Sequence, residues 1–526
     1  MRKIIAAACV LAGAPLVLAV TVLGRPAAQA PVSAGGVVKK AAVALGGVDR
    51  IMAVKSLRIE GWGQEASQNG GANTSASPEA PQRWNNIMSY EETIDLANQR
   101  VRVRQRTAAW LPAATLARVF GNNVATTVLD GDVAYTVTAQ GPRRANAATG
   151  ETLRAAMLTH PVALVRIALD PSTAVDNLRT EGRLQVVDIH PKQGPRVTLA
   201  VDKESGLPMW TRWMENDNVL RDVTFERWFT GYEPINGVMM PTGFKTVSDF
   251  RNIVQNQLYV TRNSVDGTID DLAAPAEVKS AEAPAAPPVA AVEATPVAKG
   301  IWLLHGGRND NSVLIEFADH LALFEVPTSE EWVHALIEKA RSIVPGKPVT
   351  QAIVSHHAFD HTGGIRQAIA EGLTIVAQRG TERIFRDVAA RKSTLVPDDL
   401  SRNPKPLKFM PVDDHLTLKD ASMQIDLYHI VGDEYMAEAL MAWEPRDRLL
   451  IEGDLFDATW QNYPWGDVYA DNVKLRNLDV AQDVPLHGGA MAWKDVLANI
   501  ATKQEVTRQL CKGPQGPLLP NCEVMR

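Results

Sequence analysis

The chain has 526 residues, enough for two or three domains, and 45% hydrophobic with 22% charged residues is the composition of a globular protein. Its formal net charge is −6, and no dense run of lysine and arginine occurs. Because a nucleic-acid partner requires a basic face, this balance argues against nucleic-acid binding.

Residues 1–30 have the features of a signal peptide. Arg2 and Lys3 precede a long apolar run, and residues 28–30 read Ala-Gln-Ala, the small-x-small pattern of a cleavage site. Pro31 disfavours cleavage at that site, and the apolar run is long enough to span a bilayer, so an uncleaved membrane anchor is the alternative. Both interpretations predict that the rest of the chain is exported, to the periplasm or out of the cell. Membrane contact is expected only through an uncleaved anchor.

Residues 31–272 are predicted to form an antiparallel β-rich domain. Short stretches alternate apolar and polar residues, with turn residues between them, which is the pattern of antiparallel strands. These stretches lie at 58–62, 101–104, 133–137, 184–189 and 197–202. One helix is expected over 150–169 and a polar loop over 64–82.

Three segments of this domain, 202–208, 225–228 and 237–241, resemble the curved half-barrel sheets of periplasmic lipoprotein-carrier domains. The domain contains only two histidines, His160 and His190, and no constellation of nucleophile and base. The resemblance therefore implies a binding or scaffolding module without chemistry of its own.

Residues 273–299 are predicted to be an extended linker, because they contain five prolines and almost no large apolar residue. Beyond it, 300–510 alternates strands with helices, which indicates an α/β layered domain. The expected strands are 301–304, 312–317, 321–326, 351–355, 374–377, 423–430, 438–443 and 448–452, and the expected helices are 330–343, 364–371 and 381–390.

The C-terminal tail, 511–526, contains Cys511 and Cys522 in a sequence rich in glycine and proline. In an oxidising compartment, two cysteines that flank such a turn-rich loop predict a disulfide. A pair of soft metal ligands is the alternative interpretation.

The strongest functional signal is the sequence Ser-His-His-Ala-Phe-Asp-His-Thr-Gly-Gly at 355–364. His356, His357, Asp360 and His361 are of the residue types that bind transition metals. They lie between a predicted strand and a predicted helix, on the kind of loop where α/β proteins place their ligands. The pattern predicts a metal site, and a histidine-rich surface turn is the alternative.

The spacing His-x-x-x-Asp-His-x-Gly-Gly is followed by Glu-Gly-Asp-Leu-Phe at 452–456 and Leu-His-Gly-Gly at 486–489. Together these motifs resemble the metallo-β-lactamase-fold hydrolases from residue 300 onward. The resemblance implies an αββα sandwich whose metals lie at one edge, between the two sheets. It also implies a complete second metal site, made of Asp360, His361, Asp454 and His487.

The first metal site of that family is incomplete here. The resemblance implies that it keeps His356 but has Ala358 and Tyr435 where the family has two further histidines. We therefore expect one zinc ion, at the second site, with His356 beside it as a further candidate ligand; manganese and iron are the alternative ions. A second ion would need replacement ligands, for which His357, Glu434 and Tyr435 are the candidates.

These residues predict an exported metal-dependent hydrolase, in which metal-activated water attacks a small-molecule ester, thioester, amide or phosphoester. Asp360 or Asp454 is the expected base, His356 the expected general acid–base, and Tyr435 the expected hydrogen-bond donor to a developing oxyanion. The alternative is a degenerate family member that binds a ligand or a partner without turnover. If the function had been lost, ligands of both metal sites should have been replaced alike. Ligands are missing from the first site alone, which favours the enzyme.

Two further predictions concern aromatic residues near these motifs. His429 is expected to be structural rather than a metal ligand. The stretch that follows Asp454 is rich in aromatic residues and is expected either to line the substrate site or to belong to the core; its members are Trp460, Tyr463, Trp465 and Tyr469.

Overall fold

The computed structural model describes residues 33–67, 73–108, 123–285, 289–306, 310–433, 435–458 and 466–514. Predictions about residues outside these ranges stay predictions; they concern the signal segment 1–30, Glu434, Trp460, Tyr463, Trp465 and Cys522. Within the described ranges, no helix is both long and apolar enough to cross a membrane.

The amino-terminal half contains four helices and thirteen strands among its described residues. In chain order they are α1 (Ala34–Leu45), α2 (Val48–Ala53), β1 (Ser56–Ala66), β2 (Trp84–Asp95), β3 (Arg100–Ala108), β4 (Asn123–Asp130), β5 (Val133–Thr138), β6 (Gly141–Arg144), α3 (Ala147–Leu158), α4 (Pro161–Ala168), β7 (Ala174–Glu181), β8 (Leu184–His190), β9 (Val197–Asp202), β10 (Pro208–Asp217), β11 (Arg221–Ile235), β12 (Val238–Ser248) and β13 (Val254–Val265).

These strands form one antiparallel sheet of 13 strands, in the order β6-β5-β4-β3-β2-β1-β13-β12-β11-β10-β9-β8-β7. Alternate strand residues point to the same face, so Leu57, Ile59 and Leu199 share one core with Val38 of α1 and Leu164 of α4. The predicted antiparallel sheet is confirmed.

The helix expected over 150–169 is in fact two helices. α3 ends at Leu158 and α4 begins at Pro161, with His160 between them in an extended conformation (φ −76°, ψ 128°). Proline lacks an amide hydrogen and disfavours helical geometry in the residue before it, yet it is tolerated in a first helical turn. The loop expected from residue 64 also begins later, because β1 continues to Ala66.

The segment expected to be a linker contains two short elements, α5 (Ala276–Ser280) and β14 (Glu293–Ala298). β14 is an edge strand of the next sheet, so the prediction of a linker up to residue 299 is wrong at its C-terminal end. The strand was not predicted because it contains Pro296, and proline is rare inside strands. An edge strand tolerates proline, and the register between β14 and the next strand shifts directly after Pro296.

The carboxy-terminal half continues with strands and helices in alternation. They are β15 (Ile301–His305), β16 (Ser312–Glu316), β17 (Leu321–Phe324), α6 (Glu330–Ile343), β18 (Val349–Ile353), α7 (Phe359–Thr362), α8 (Ile365–Glu371), β19 (Thr374–Gln378), a 3-10 turn (Arg379–Thr381), α9 (Glu382–Ala389), α10 (Asp399–Arg402), β20 (Lys408–Val412), β21 (His415–Lys419), β22 (Gln424–His429), β23 (Leu440–Glu444), β24 (Leu449–Glu452), α11 (Gly466–Leu475), β25 (Gln482–Pro485), β26 (Met491–Ala492) and α12 (Trp493–Lys512).

Two mixed sheets form this half: a 7-stranded sheet, β14 to β20, and a 6-stranded sheet, β21 to β26, each in chain order. Ile353 of β18 and Ile451 of β24 belong to one apolar cluster, so the two sheets face each other. Leu336 of α6 packs against the outer face of the first sheet. Val496 of α12 does so against the second.

The two halves share a core. Leu220, Phe250 and Ile253 of the amino-terminal half belong to the same apolar cluster as Leu336 and Phe385 of the carboxy-terminal half. Burial of apolar side chains from both halves in one cluster is the main attraction between them.

Buried charges also cross between the halves. Arg221 pairs with both Glu330 and Asp398, and Arg366 lies 2.6 Å from Asp398. Burial raises the pKa of Glu330 to about 7, even though Arg221 opposes this shift. Burial would also raise the pKa of Asp398, but hydrogen bonds from Arg366 and Ser401 outweigh burial and lower it. The interface therefore contains one carboxyl that protonates near neutral pH.

Candidate metal site

The predicted histidine cluster follows β18, but only His356 and His357 lie on the loop; Asp360 and His361, which were also expected on the loop, lie in the single turn of α7. Ser355, His356, His357 and His361 are all buried. The glycines after α7 permit a close approach, because a Cβ atom on Gly364 would lie 2.2 Å from Val333 Cγ2 of α6. The absence of a side chain at Gly364 thus lets this segment pack closely against α6.

Two neighbouring strands bring in the other site residues. β24 and β25 are parallel, with Glu452 opposite Pro485. Asp454 and His487 each lie two residues beyond that pair, at the same edge of the sheet. Parallel strands therefore place the two motifs side by side, although they are far apart along the chain.

Asp360, His361, Asp454 and His487 form one group, in which one ligand atom from each residue lies within 4.8 Å of the other three. Asp454 Oδ1 lies 3.0 Å from His361 Nε2 and 2.9 Å from His487 Nε2. His361 Nε2 lies 4.0 Å from Asp360 Oδ2. The structure thus brings together the four residues that the sequence predicts as one metal site.

Burial and neighbouring charges shift the pKa values of Asp454 and His361 in opposite directions. Burial would raise the pKa of Asp454, but the imidazoles of His361, His356 and His487 outweigh it and hold that pKa well below its ordinary value. Burial would likewise lower the pKa of His361, but Asp454 and Asp360 raise it well above the ordinary value. Without a metal ion, these pKa shifts favour a proton on the buried His361 ring beside the Asp454 carboxylate.

The donor atoms suit a divalent cation. Asp360 Oδ1 is buried and has no hydrogen-bond partner among the described residues, and His361 Nε2 faces two carboxylates, those of Asp454 and Asp360. Two imidazole nitrogens and two carboxylates are a ligand set that zinc accepts, with manganese and iron as alternatives. A cation here would replace the proton of His361 and satisfy these atoms.

A second carboxylate supports each histidine of the group. Glu325 Oε1 lies 3.5 Å from His361 Nδ1 and accepts the Ser355 amide at 3.0 Å. Asp310 Oδ1 lies 3.4 Å from His487 Nδ1. Carboxylates on the far nitrogen of a metal-binding histidine fix its tautomer and raise its basicity.

The sequence reasoning missed both of these carboxylates. Glu325 could have been predicted as a functional residue, since it is a charged residue directly after the apolar strand β17. Asp310 could not have been predicted, because only the fold brings it close to His487.

His356 lies beside the group without belonging to it. Its Nε2 is 3.4 Å from Asp454 Oδ2, its Nδ1 is 2.7 Å from the Ser355 hydroxyl, and its ring centroid is 3.9 Å from that of His361. Both ring nitrogens of His356 thus face protein groups.

His357 points elsewhere, as expected for neighbouring loop residues. One of its ring nitrogens lies 3.9 Å from Glu438, and burial lowers its pKa to about 3. It is therefore a neutral imidazole outside the group.

The two positions that lack the family's histidines are packed into the protein. Ala358 is fully buried in the apolar cluster beneath the second sheet, and Tyr435 and Met436 belong to the same cluster. The Tyr435 ring lies 5.9 Å from the His356 ring, edge to face.

Of the aromatic stretch, Tyr469 is the residue that the structure describes. It is fully buried, and its hydroxyl donates to Asp483 at 2.6 Å, so it belongs to the core. The ring of His429, for its part, lies 2.8 Å from the Ala437 carbonyl oxygen, which is the structural role that the sequence predicts.

Comparison with family models found no match, and comparison with curated proteins found none. Among solved structures, the chain is similar to a metallo-beta-lactamase from Pontibacter korlensis (15% identity, 40% of this chain and 99% of that chain, TM-score 0.33). It is also similar to the DIM-1 metallo-beta-lactamase (16% identity, 41% and 98%, TM-score 0.33). A third is the FIM-1 metallo-beta-lactamase from Pseudomonas aeruginosa in its mono-zinc form (14% identity, 42% and 98%, TM-score 0.33).

Proposed function

We propose that this chain is an exported hydrolase of the metallo-β-lactamase fold, with an αββα sandwich in its carboxy-terminal half and one divalent ion at the sandwich edge. The observation that carries the proposal is the convergence of Asp360, His361, Asp454 and His487 within 4.8 Å. These residues follow three separate strand ends, and a further carboxylate lies behind each histidine: the buried Glu325 behind His361 and the half-buried Asp310 behind His487. Export rests on the predicted signal segment.

Asp360, His361, Asp454 and His487 would hold the ion, for which zinc is the first choice. When bound, it supplies a Lewis acid that polarises a carbonyl or phosphoryl oxygen and makes water more acidic. The substrate classes we propose are esters, thioesters, amides and phosphoesters of small molecules.

Side chains of the site have separate roles in the proposed reaction. Asp360 is the most exposed of the group, with 36% of its side chain accessible, so it is the carboxylate best placed to accept a proton from water. His356, with Asp454 on one nitrogen and Ser355 on the other, holds the Asp454 carboxylate in place. Tyr435 packs against His356, and we assign it to support of that ring rather than to direct contact with substrate.

Binding without turnover is the second candidate function. The observation that favours it is the burial of Ala358 and Tyr435 in an apolar cluster, which leaves the first metal site without ligands from these two positions. A one-ion centre with few reactive groups around it would suit a ligand-binding protein.

A substrate panel separates the two candidates. The full chain, reconstituted with Zn²⁺, is assayed on chromogenic esters, thioesters, anilides and phosphodiesters. We expect zinc-dependent turnover of at least one class, reduced about 10²–10⁴-fold in Asp360→Asn through loss of a carboxylate that both helps to hold the ion and accepts the proton. The control is Asp413→Asn, an exposed carboxylate paired with Arg379. Zinc-loaded protein with no turnover on any class would overturn the enzyme and favour the binding protein.

A further inference from the structure

We propose that the amino-terminal half is a structural part of the metal site, with Arg83 as a positioning residue that acts through Tyr435 and His356. This inference rests on the proposed function, because it concerns the geometry of the metal-binding residues. It assigns a role to a half of the chain in which the sequence shows no catalytic constellation.

The contact is made by the segment 73–83, which leads from β1 into β2. Arg83 makes two contacts there: its guanidinium donates to the Tyr435 carbonyl oxygen and lies over the Tyr435 ring at 4.9 Å. Arg83 is only 4% exposed. Burial of a guanidinium is costly unless specific partners compensate, so this placement is a defined contact and not a loose surface one.

From Tyr435 the contact continues to the metal-binding residues in two steps. The Tyr435 ring lies edge to face on the His356 ring at 5.9 Å. His356 in turn lies 3.4 Å from Asp454 Oδ2, and its ring lies against the His361 ring at a tilt of 50°, with the ring centroids 3.9 Å apart. Movement of Tyr435 would therefore release the ring that supports Asp454 and His361.

A second set of contacts fixes the loop that begins at Tyr435. The Ser75 hydroxyl donates to Glu438, the Ala76 amide donates to the same carboxylate at 2.9 Å, and the Ala437 amide donates to the Thr74 carbonyl at 2.9 Å. Glu438 is also the carboxylate that faces His357. The segment 73–83 thus holds the Tyr435 loop at several points along its length.

Some contacts between the halves lie away from the site. Arg391, for example, donates to the Leu220 carbonyl oxygen at 2.9 Å and pairs with Asp249 at 3.0 Å. No described contact of Arg391 reaches the metal-binding group or His356. Arg391 therefore offers a matched control, an arginine that joins the same two halves by similar bonds.

The test measures Zn²⁺ affinity of the full chain by competition with a chromogenic chelator, for wild type, Arg83→Met, Arg83→Lys and Arg391→Met. We expect Arg83→Met to weaken Zn²⁺ binding about tenfold, as supporting residues of metal sites do, and Arg83→Lys to restore part of that loss. Arg391→Met should lower the melting temperature by a similar amount and leave Zn²⁺ affinity within about twofold of wild type. The lysine rescue and the unaffected control separate positioning from general loss of stability.

Equal Zn²⁺ affinities in Arg83→Met and Arg391→Met would overturn the inference while leaving the proposed function intact. A wild-type chain that binds no Zn²⁺ would overturn both. If Arg83→Met does not fold, Arg83→Lys and Glu438→Gln provide the same comparison, and wild-type affinity in both would overturn the inference.

Discussion

Asp454 Oδ1 lies between two imidazoles, at 3.0 and 2.9 Å, in a position that water hardly reaches. A lone buried carboxylate there would be strongly disfavoured, so the charge must be matched by a proton on His361 or by a cation. The far nitrogens of His361 and His487 face Glu325 and Asp310. A proton held on each far nitrogen leaves Nε2 of both rings directed at the group, where it can donate to a cation, and the two carboxylates make both imidazoles stronger donors.

The role of Glu325 gives a prediction at this scale. Glu325→Gln keeps the size of the side chain and an oxygen for the Ser355 amide, but removes the negative charge behind His361. Because that charge raises the basicity of the imidazole, we expect Zn²⁺ affinity to fall about 10–100-fold, measured by chelator competition at constant pH.

Glu444→Gln is the matched control, because Glu444 is also buried at a strand end and accepts an amide, that of Asp447 at 2.7 Å. Affinity in Glu325→Gln equal to that of this control would show that Glu325 plays no part in metal binding.

At the scale of elements, local patterns predicted about half of the strands and the helix α6, and with them the segment after β18 that contains Asp360 and His361; the helices α1 and α12 were not predicted. Periodicity failed where one residue overrides a regular pattern. Pro161 divides a helix that reads as continuous, and Pro296 conceals an edge strand. Asp360 and His361 were predictable because their residue types are rare and closely spaced, whereas Asp454 and His487 were predictable only through the resemblance of their motifs to a known family. Asp310 and the contact of Arg83 were not predictable, since they depend on packing between distant parts of the chain.

At the scale of the whole molecule, the two halves behave as one unit, with a shared apolar cluster and the buried charges of Arg221, Glu330, Asp398 and Arg366. Separate domains joined by a free linker would not bury charges against each other at such a cost. Substitutions in the segments that form the interface are therefore expected to affect the metal site as well.

Glu330 makes the stability of this interface dependent on pH. Burial raises its pKa from 4.5 to about 7, so between these values the folded chain holds a proton that the unfolded chain has released. This contribution to stability is complete below pH 4.5 and is lost as the pH rises through about 7. In metal-free protein, the free energy of unfolding of wild type should fall between pH 5 and pH 8 by about 1–3 kcal/mol more than that of Glu330→Gln.

Urea unfolding of both proteins at the two pH values measures this difference, with chelator present so that metal binding does not contribute. A parallel fall in wild type and Glu330→Gln would contradict the assignment of the shifted pKa to Glu330.

The central claim is that one divalent ion binds at Asp360, His361, Asp454 and His487. The most direct test is the metal content of the reconstituted, desalted full chain, by elemental analysis, for wild type and Asp454→Asn. We predict about one equivalent of zinc in wild type and almost none in Asp454→Asn, because the carboxylate between the two imidazoles is lost. No bound metal in wild type, or about two equivalents per chain, would contradict the account.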